Sequence, residues 1–118
     1  MATLTITKLE CVKKRDPIGK DELDIHVAVD GGSEVFLSGP HFLDKSRNDD
    51  EVQLNAVVRD FTDNVRIRLR ERDGARGGSN DLDLGTRTVY HDETHPNTYP
   101  FSGNNGRVVY NLSYDVDS

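Results

Sequence analysis

The stretch from Val65 to Arg70 reads VRIRLR, and it decides the fold class. Val65, Ile67 and Leu69 occupy alternate positions, with an arginine after each of them. Successive side chains of a β-strand point to opposite faces, so this pattern predicts a strand with one apolar face and one basic face. The apolar face would cover a core, while the basic face would meet solvent or phosphates.

The same alternation recurs along the chain. Leu23, Ile25, Val27 and Val29 share one predicted face, and the run from Val108 to Val116 alternates in the same way. Further short strands are predicted at 3–12, 34–37, 52–58, 84–90 and 99–101, separated by turn residues. In the first of these the apolar phase changes between Ile6 and Leu9, which indicates a β-bulge. No stretch has a helical period, so we predict an all-β fold, an antiparallel sandwich of seven or eight strands.

Composition agrees with a two-layer β domain. The chain has 118 residues, of which 34% are hydrophobic and 31% charged, and it contains no tryptophan. A thin core of Val, Leu and Ile is therefore expected, in a single domain spanning residues 1–118. The net charge of −6 argues against non-specific binding to nucleic acid.

The chain carries one cysteine, Cys11, so no internal disulfide framework is expected. Cys11 lies in the first predicted strand, where a small buried side chain is the simplest interpretation. The first residues lack the apolar run of a secretory signal, and no apolar segment approaches the roughly 20 residues of a membrane span. We therefore predict a cytoplasmic protein without a transmembrane segment, with leaderless export as the alternative.

The predicted strand at Val65–Arg70 leads directly into an acidic, glycine-rich segment. Residues 71–85 read ERDGARGGSNDLDLG, with four carboxylates and four glycines. Two carboxylates about 5 Å apart repel by about 3 kcal/mol at an effective dielectric near 20. The segment is therefore either an open, solvated loop or a loop that holds a cation.

A second acidic segment, residues 15–22 (RDPIGKDE), lies between the first two predicted strands. In a sandwich, the loops of alternate connections collect at the same end, so the two segments could form one oxygen-rich basin. Calcium suits such a basin because it takes six to eight oxygen ligands in irregular geometry. Glycines allow backbone carbonyls to turn towards an ion.

The two segments resemble the calcium-binding loops of the C2 domain, a β-sandwich of about this length. Asp16-Pro-Ile-Gly-Lys-Asp21 is similar to the first loop of that family with one residue fewer. Glu71-Arg-Asp73, a spacer and then Asn80-Asp81-Leu-Asp-Leu-Gly85 are similar to the later loop. The sequence departs from the family in having Glu71 for Asp, a longer second loop, Asn80-Asp81 one residue further from the glycine, and no central Asn-Pro-x-Trp segment.

This resemblance implies calcium as the cofactor and a binding module as the function. The ligands that it implies are Asp16, Asp21, Glu71, Asp73 and Asp81, with Asp83 as the competitor for the last place. It also implies calcium-dependent docking to membranes or proteins, with phospholipid or a protein as the partner.

Two features could contact such a partner. Pro17 and Ile18, in the first acidic segment, could enter a bilayer once calcium neutralises the basin. The basic stripe of Arg66, Arg68 and Arg70 could meet phosphates, although arginines on a strand also pair with acidic residues of neighbouring strands. The alternative function is a calcium-independent protein-interaction or self-assembling module that uses the strand edges or this stripe.

Other site motifs fit less well. A loop starting at Asp81 fails the EF-hand pattern because Thr86 stands where the sharp-turn glycine belongs. His91 and His95 lie four apart with carboxylates between them, but the metalloprotease motif needs Glu where Asp92 stands. No recognisable nucleophile or phosphate-binding motif occurs, so we predict a protein that is not an enzyme.

Overall fold

The computed structural model describes residues 1–13, 21–43, 50–72, 81–94 and 96–118, which form eight β-strands and no helix. The strands are β1 (Ala2–Lys13), β2 (Asp21–Val29), β3 (Val35–Leu43), β4 (Glu51–Phe61), β5 (Asn64–Arg72), β6 (Leu82–Tyr90), β7 (Asn97–Gly103) and β8 (Val108–Asp117). They form two four-stranded antiparallel sheets, ordered β4-β1-β8-β7 and β3-β2-β5-β6. The predicted all-β sandwich is confirmed. Within these ranges, no helix is long and apolar enough to cross a membrane.

The core lies between the inner faces of the two sheets. Val65, Ile67 and Leu69 of β5 are fully buried, as the VRIRLR pattern predicts. β2 contributes Leu23, Ile25 and Val27 in matching register, with Ile25 opposite Leu69. β1 and β8 supply the facing side, where the side chain of Cys11 of β1 is buried. The alternation therefore decides which side chains form the core.

The predicted bulge in β1 is also present. Both pairings of β1 shift register between Ile6 and Lys8. Thr7 and Lys8 are consecutive yet both are partly exposed, because the bulge resets the inward phase from Ile6 to Leu9.

The third strand is longer than predicted. We expected it to end at Leu37, before Ser-Gly-Pro, but β3 continues to Leu43. Leu23 pairs with His41 and Ile25 with Ser38, so Gly39 and Pro40 form a bulge opposite Asp24. β3 is an edge strand, where a proline without an N–H costs no ladder hydrogen bond. The Gly-Pro pair therefore bends this strand and does not end it.

At the opposite end from the acidic segments, Asp30 holds the turn between β4 and β5. Its carboxylate accepts backbone N–H groups of Thr62 (3.0 Å), Asp63 (2.7 Å) and Asn64 (3.1 Å). These hydrogen bonds favour the charged form and hold the pKa of Asp30 below its ordinary value of 3.8. Asp30, which directly follows β2, therefore stabilises the turn between β4 and β5.

Asp30→Asn should lower the stability of the protein in a pH-dependent way. Because the folded pKa is depressed, the carboxylate contributes its full stabilisation above pH about 4 and loses it as the pH falls through the folded pKa. Thermal melts from pH 7 to pH 2.5 should therefore show a gap between wild type and variant that closes in acid.

Asp60→Asn is the matched control, since Asp60 is exposed in β4 near the same turn. A gap of equal size at pH 7 in both variants, or one that does not close in acid, contradicts the role of Asp30.

Candidate functional site

Three strand-to-strand connections leave the sandwich at the same end. Glu10, near the end of β1, pairs with Glu51 at the start of β4. Asp21 at the start of β2 pairs with Leu43 at the end of β3, and Glu71 near the end of β5 pairs with Leu82 at the start of β6. The acidic segments therefore join strands whose flanking ends share one end of the molecule, as predicted.

Asp21 occupies the first position of β2 and faces the interior. It continues the inward phase of Leu23 and Ile25, and it has no solvent exposure. The hydroxyl of Tyr110, on β8 of the other sheet, donates a hydrogen bond to Oδ2 of Asp21. Burial raises the pKa of Tyr110, and the bond to Asp21 raises it further, so the hydroxyl remains a proton donor. This contact joins the two sheets at the acidic end.

Glu71 lies beside Asp21 on the same inner face. It follows the inward phase of Leu69 and is 1% exposed. Leu23 stands directly opposite Glu71, so Asp21 is its diagonal neighbour across β2 and β5. Ordinary sheet geometry places such diagonal residues about 7–8 Å apart. At that separation two carboxylates repel by about 2 kcal/mol at an effective dielectric near 20. The two acids are therefore neighbours on the inner face, beneath the strand ends.

The two aspartates that compete for the last ligand position have different surroundings. Asp83 lies on β6. Its Oδ2 accepts a hydrogen bond from the Arg68 guanidinium, and its Oδ1 accepts one from the backbone N–H of Gly85 at 2.9 Å. Asp81 is half-buried and directly precedes β6. Asp83 would have to give up an ion pair to bind a metal ion.

Four predicted site residues, Asp16, Pro17, Ile18 and Asp73, lie outside the described residues. Among the residues that are described, no three His, Cys, Asp or Glu side chains are grouped closely enough to hold a metal ion. Of the predicted ligands, the described part of the chain contains Asp21, Glu71, Asp81 and Asp83. The ligand set stays a prediction.

The arginine stripe divides into paired and exposed members. Arg68 donates to Glu34 at 2.8 Å and also pairs with Asp83. The hydrogen bond to Glu34 raises the pKa of the Arg68 guanidinium, which therefore stays charged. Arg66 and Arg70 are exposed on the same outer face. Arg68 thus links neighbouring elements of its sheet, and the other two arginines are the ones presented to solvent.

Asp24 is a buried carboxylate that the sequence did not single out. Its side chain is 8% exposed on the outer face of β2, and Arg72 approaches Oδ2 at 3.2 Å. The bulge of β3 covers it, because a Cβ at Gly39 would lie 2.5 Å from Asp24 Oδ1. The backbone φ of Gly39 is +140°, a value that residues with a Cβ rarely adopt. Gly39 is therefore needed for this close approach.

Tyr110 is the site residue that sequence reasoning missed. The alternation of β8 marks it as a core residue, but not as a donor to a carboxylate 89 positions away. A signal was present, because a buried tyrosine needs a hydrogen-bond partner for its hydroxyl. Asp21 and Glu71 also continue the apolar phase of their strands, which marks them as inward-facing acids.

Comparison with known proteins supports the fold and goes no further. A solved structure described as that of a C2 domain matches the chain with a TM-score of 0.60, covering 100% of both chains at 11% sequence identity. No protein-family model matches the sequence, and no curated protein matches it significantly. The chain is therefore a C2-like β-sandwich, the class of fold expected from its two acidic segments.

Tyr110→Phe should lower the free energy of unfolding by about 2 kcal/mol, because it leaves a buried carboxylate without one of its donors. Chemical denaturation at pH 7 measures this loss. Tyr99→Phe is the control: Tyr99 lies on β7, and its ring contact with Arg87 survives the change. Equal effects of the two substitutions would show that the Tyr110 hydroxyl has no special role.

Proposed function

We propose that this chain is a calcium-binding module that docks to a membrane or protein partner when calcium is bound. The observation that carries the proposal is the pair of buried carboxylates, Asp21 and Glu71, on the inner face at the acidic end of the sandwich. Buried acids of like charge are costly, and a dication between them offsets both the repulsion and the desolvation.

The donor chemistry of this corner fits calcium. Carboxylate oxygens are hard ligands, and calcium accepts them in irregular arrangements and in mono- or bidentate modes. Asp21 and Glu71 would hold the ion from the rigid strand ends, with Asp16, Asp73 and Asp81 as the further proposed ligands. Bound calcium would supply positive charge at the end of the sandwich.

Tyr110 prepares Asp21 for this role. Its hydroxyl occupies Oδ2 of Asp21 and anchors the carboxylate to the opposite sheet. The orientation of the carboxylate is therefore fixed by a residue that does not itself need to contact the ion. We assign Tyr110 as a positioning residue for the proposed site.

Docking would follow from the change of charge. Neutralising the acidic end would let Pro17 and Ile18 approach an apolar surface, and Arg66 and Arg70 could attract anionic groups on the outer sheet face. The net charge of −6 would otherwise oppose an anionic membrane.

Calcium should raise the melting temperature of the wild-type protein relative to chelator. A ligand that binds only the folded state stabilises it by RT ln(1 + [L]/Kd), or about 2.7 kcal/mol at 100 times Kd. Asp21→Asn and Glu71→Gln should each abolish most of the shift. The comparison is made within each variant, with and without calcium, so that a change in basal stability does not enter.

Asp117→Asn is the matched control, because Asp117 is exposed at the other end of β8. Its calcium shift should equal that of the wild type. An unchanged melting temperature of the wild type at millimolar calcium would rule out the proposed site.

Docking is tested by sedimentation with vesicles of phosphatidylserine and phosphatidylcholine. The protein should pellet with calcium and stay in the supernatant with chelator, and Arg66→Glu with Arg70→Glu should weaken the binding. Arg68 is left intact because it holds Glu34 and Asp83. Calcium-dependent melting without pelleting would retain the ion and remove the anionic membrane as the partner.

A second candidate function is a calcium-independent module for protein interaction or self-assembly. Phe36 and Phe42, on the edge strand β3, are 55% and 51% exposed, which is unusual for large apolar side chains. Sedimentation velocity in chelator tests self-assembly: the protein should associate with rising concentration, and Phe36→Ser with Phe42→Ser should abolish it. A monomer at all concentrations removes the self-assembly form of this candidate.

A further inference from the structure

The outer face of the β4-β1-β8-β7 sheet carries a groove of about 480 Å³. It lies on the other sheet from the arginine stripe and receives side chains from all four strands. Its polar walls include Thr7, Lys8, Gln53, Thr98, Ser113 and Asp115. The volume falls within the roughly 300–1,000 Å³ that is usual for small-molecule sites.

The bulge of β1 contributes two residues, Thr7 and Lys8, to the lining of this groove. Ile6 pairs with Tyr114 and Lys8 pairs with Ser113, which are consecutive residues of β8. Thr7 is therefore an extra residue of β1 with no partner position on β8. Thr7 and Lys8 consequently both lie on the outer face, where a regular strand would present only one of them. Bulges redirect side chains and are frequent beside binding sites.

The hydroxyl groups on the walls are connected to each other. Thr98 Oγ1 and Ser113 Oγ are 2.9 Å apart, and Thr7 Oγ1 donates to the carbonyl oxygen of Ser113 at 3.2 Å. A hydroxyl has one proton and two lone pairs, so each retains capacity for a ligand after these bonds. Gln53 is exposed and adds an amide, which both donates and accepts.

The charges of the groove do not favour an ionic ligand. Lys8 Nζ lies 3.6 Å from Glu51 Oε2, so its charge already has a partner. Asp115 is exposed on the opposite wall and would repel an anion. A neutral ligand that presents hydroxyl donors to Asp115 avoids both problems.

The end of the groove at β7 is held in place by partly buried hydrogen bonds. Glu93 Oε1 accepts from the hydroxyl of Tyr114 at 2.8 Å and from Nδ2 of Asn97 at 3.2 Å. Tyr114 is 1% exposed. These contacts fix the start of β7 against β8, so the groove is preformed and binding would not require ordering of this wall.

We propose that this groove binds a neutral saccharide of one or two sugar rings. Sugar hydroxyls both donate and accept, as do the threonine, serine and glutamine groups of the walls, and a carboxylate such as Asp115 accepts from neighbouring sugar hydroxyls. Pro96, at the rim, offers an apolar surface to the C–H face of a ring. The inference is independent of calcium, since the groove lies on another face of the sandwich.

The test is a two-dimensional amide NMR titration of the full chain in chelator. The probes are the methyl glycosides of glucose, galactose, mannose and N-acetylglucosamine, each up to about 50 mM, a concentration that would nearly saturate a site with a Kd of about 1 mM. At least one probe should cause saturable shifts confined to residues 7–8, 53, 97–98 and 113–115. Sodium phosphate at the same concentrations should leave these residues unchanged.

Variants assign the contacts. Thr98→Val and Gln53→Ala should each weaken binding of the active probe about fivefold, the loss of one ordinary hydrogen bond. Gln53 is exposed, so its substitution leaves the fold intact even if Thr98→Val does not. Thr88→Val, on β6 of the other sheet, is the control and should bind as the wild type does.

Three results overturn the proposal. The first is the absence of saturable shifts with every sugar, and the second is a set of shifts that rise linearly over the whole surface. The third is a response of the groove to phosphate and not to sugars, which would make it an anion site.

Discussion

The hydrogen bond from Tyr110 to Asp21 is the interaction on which the acidic end of the sandwich depends. It crosses from one sheet to the other and satisfies a carboxylate that has no access to water. Glu71 lies diagonally across from Asp21, so the same corner must accommodate a second buried acid. Elsewhere among the described residues the core cluster is apolar, so this end is where acidic side chains adjoin it. This arrangement is the basis of the proposed calcium site.

The fold could be predicted from the sequence because its signal is local. The period of two in VRIRLR assigned the inner and outer faces of β5, and the phase change between Ile6 and Leu9 located the bulge of β1. β3 was predicted too short, since Gly39-Pro40 normally breaks a strand and only the edge position of β3 permits it to continue. The edge position of β3 follows from the order of strands in the sheet, which the local periodicity of the sequence does not reveal.

The candidate site could be predicted only in part, for the same physical reason. The acidic segments indicated which end of the sandwich matters, and Asp21 and Glu71 were named from a resemblance. The Tyr110 contact and the burial of Asp24 beneath Gly39 depend on residues distant in sequence and on how a bulge folds over its neighbour. Asp83 was named as a competing ligand, and its ion pair with Arg68 depends on the alignment of β5 with β6.

The two outer faces of the sandwich are chemically distinct. One face carries the paired Arg68 and the exposed Arg66 and Arg70, and its edge strand carries two exposed phenylalanines. The other carries hydroxyl and amide groups around the bulge of β1. The sandwich therefore has three surfaces of distinct chemistry, namely its two outer faces and its acidic end.

The central claim is that Asp21 and Glu71 hold the same calcium ion, and carboxyl ¹³C NMR observes both groups directly. The account predicts that their side-chain carboxyl signals shift together and saturate at the same calcium concentration, while the carboxyl signal of Asp117 stays fixed. Carboxyl signals of Asp21 and Glu71 that do not move at millimolar calcium, or that move together with every surface carboxylate, would contradict it.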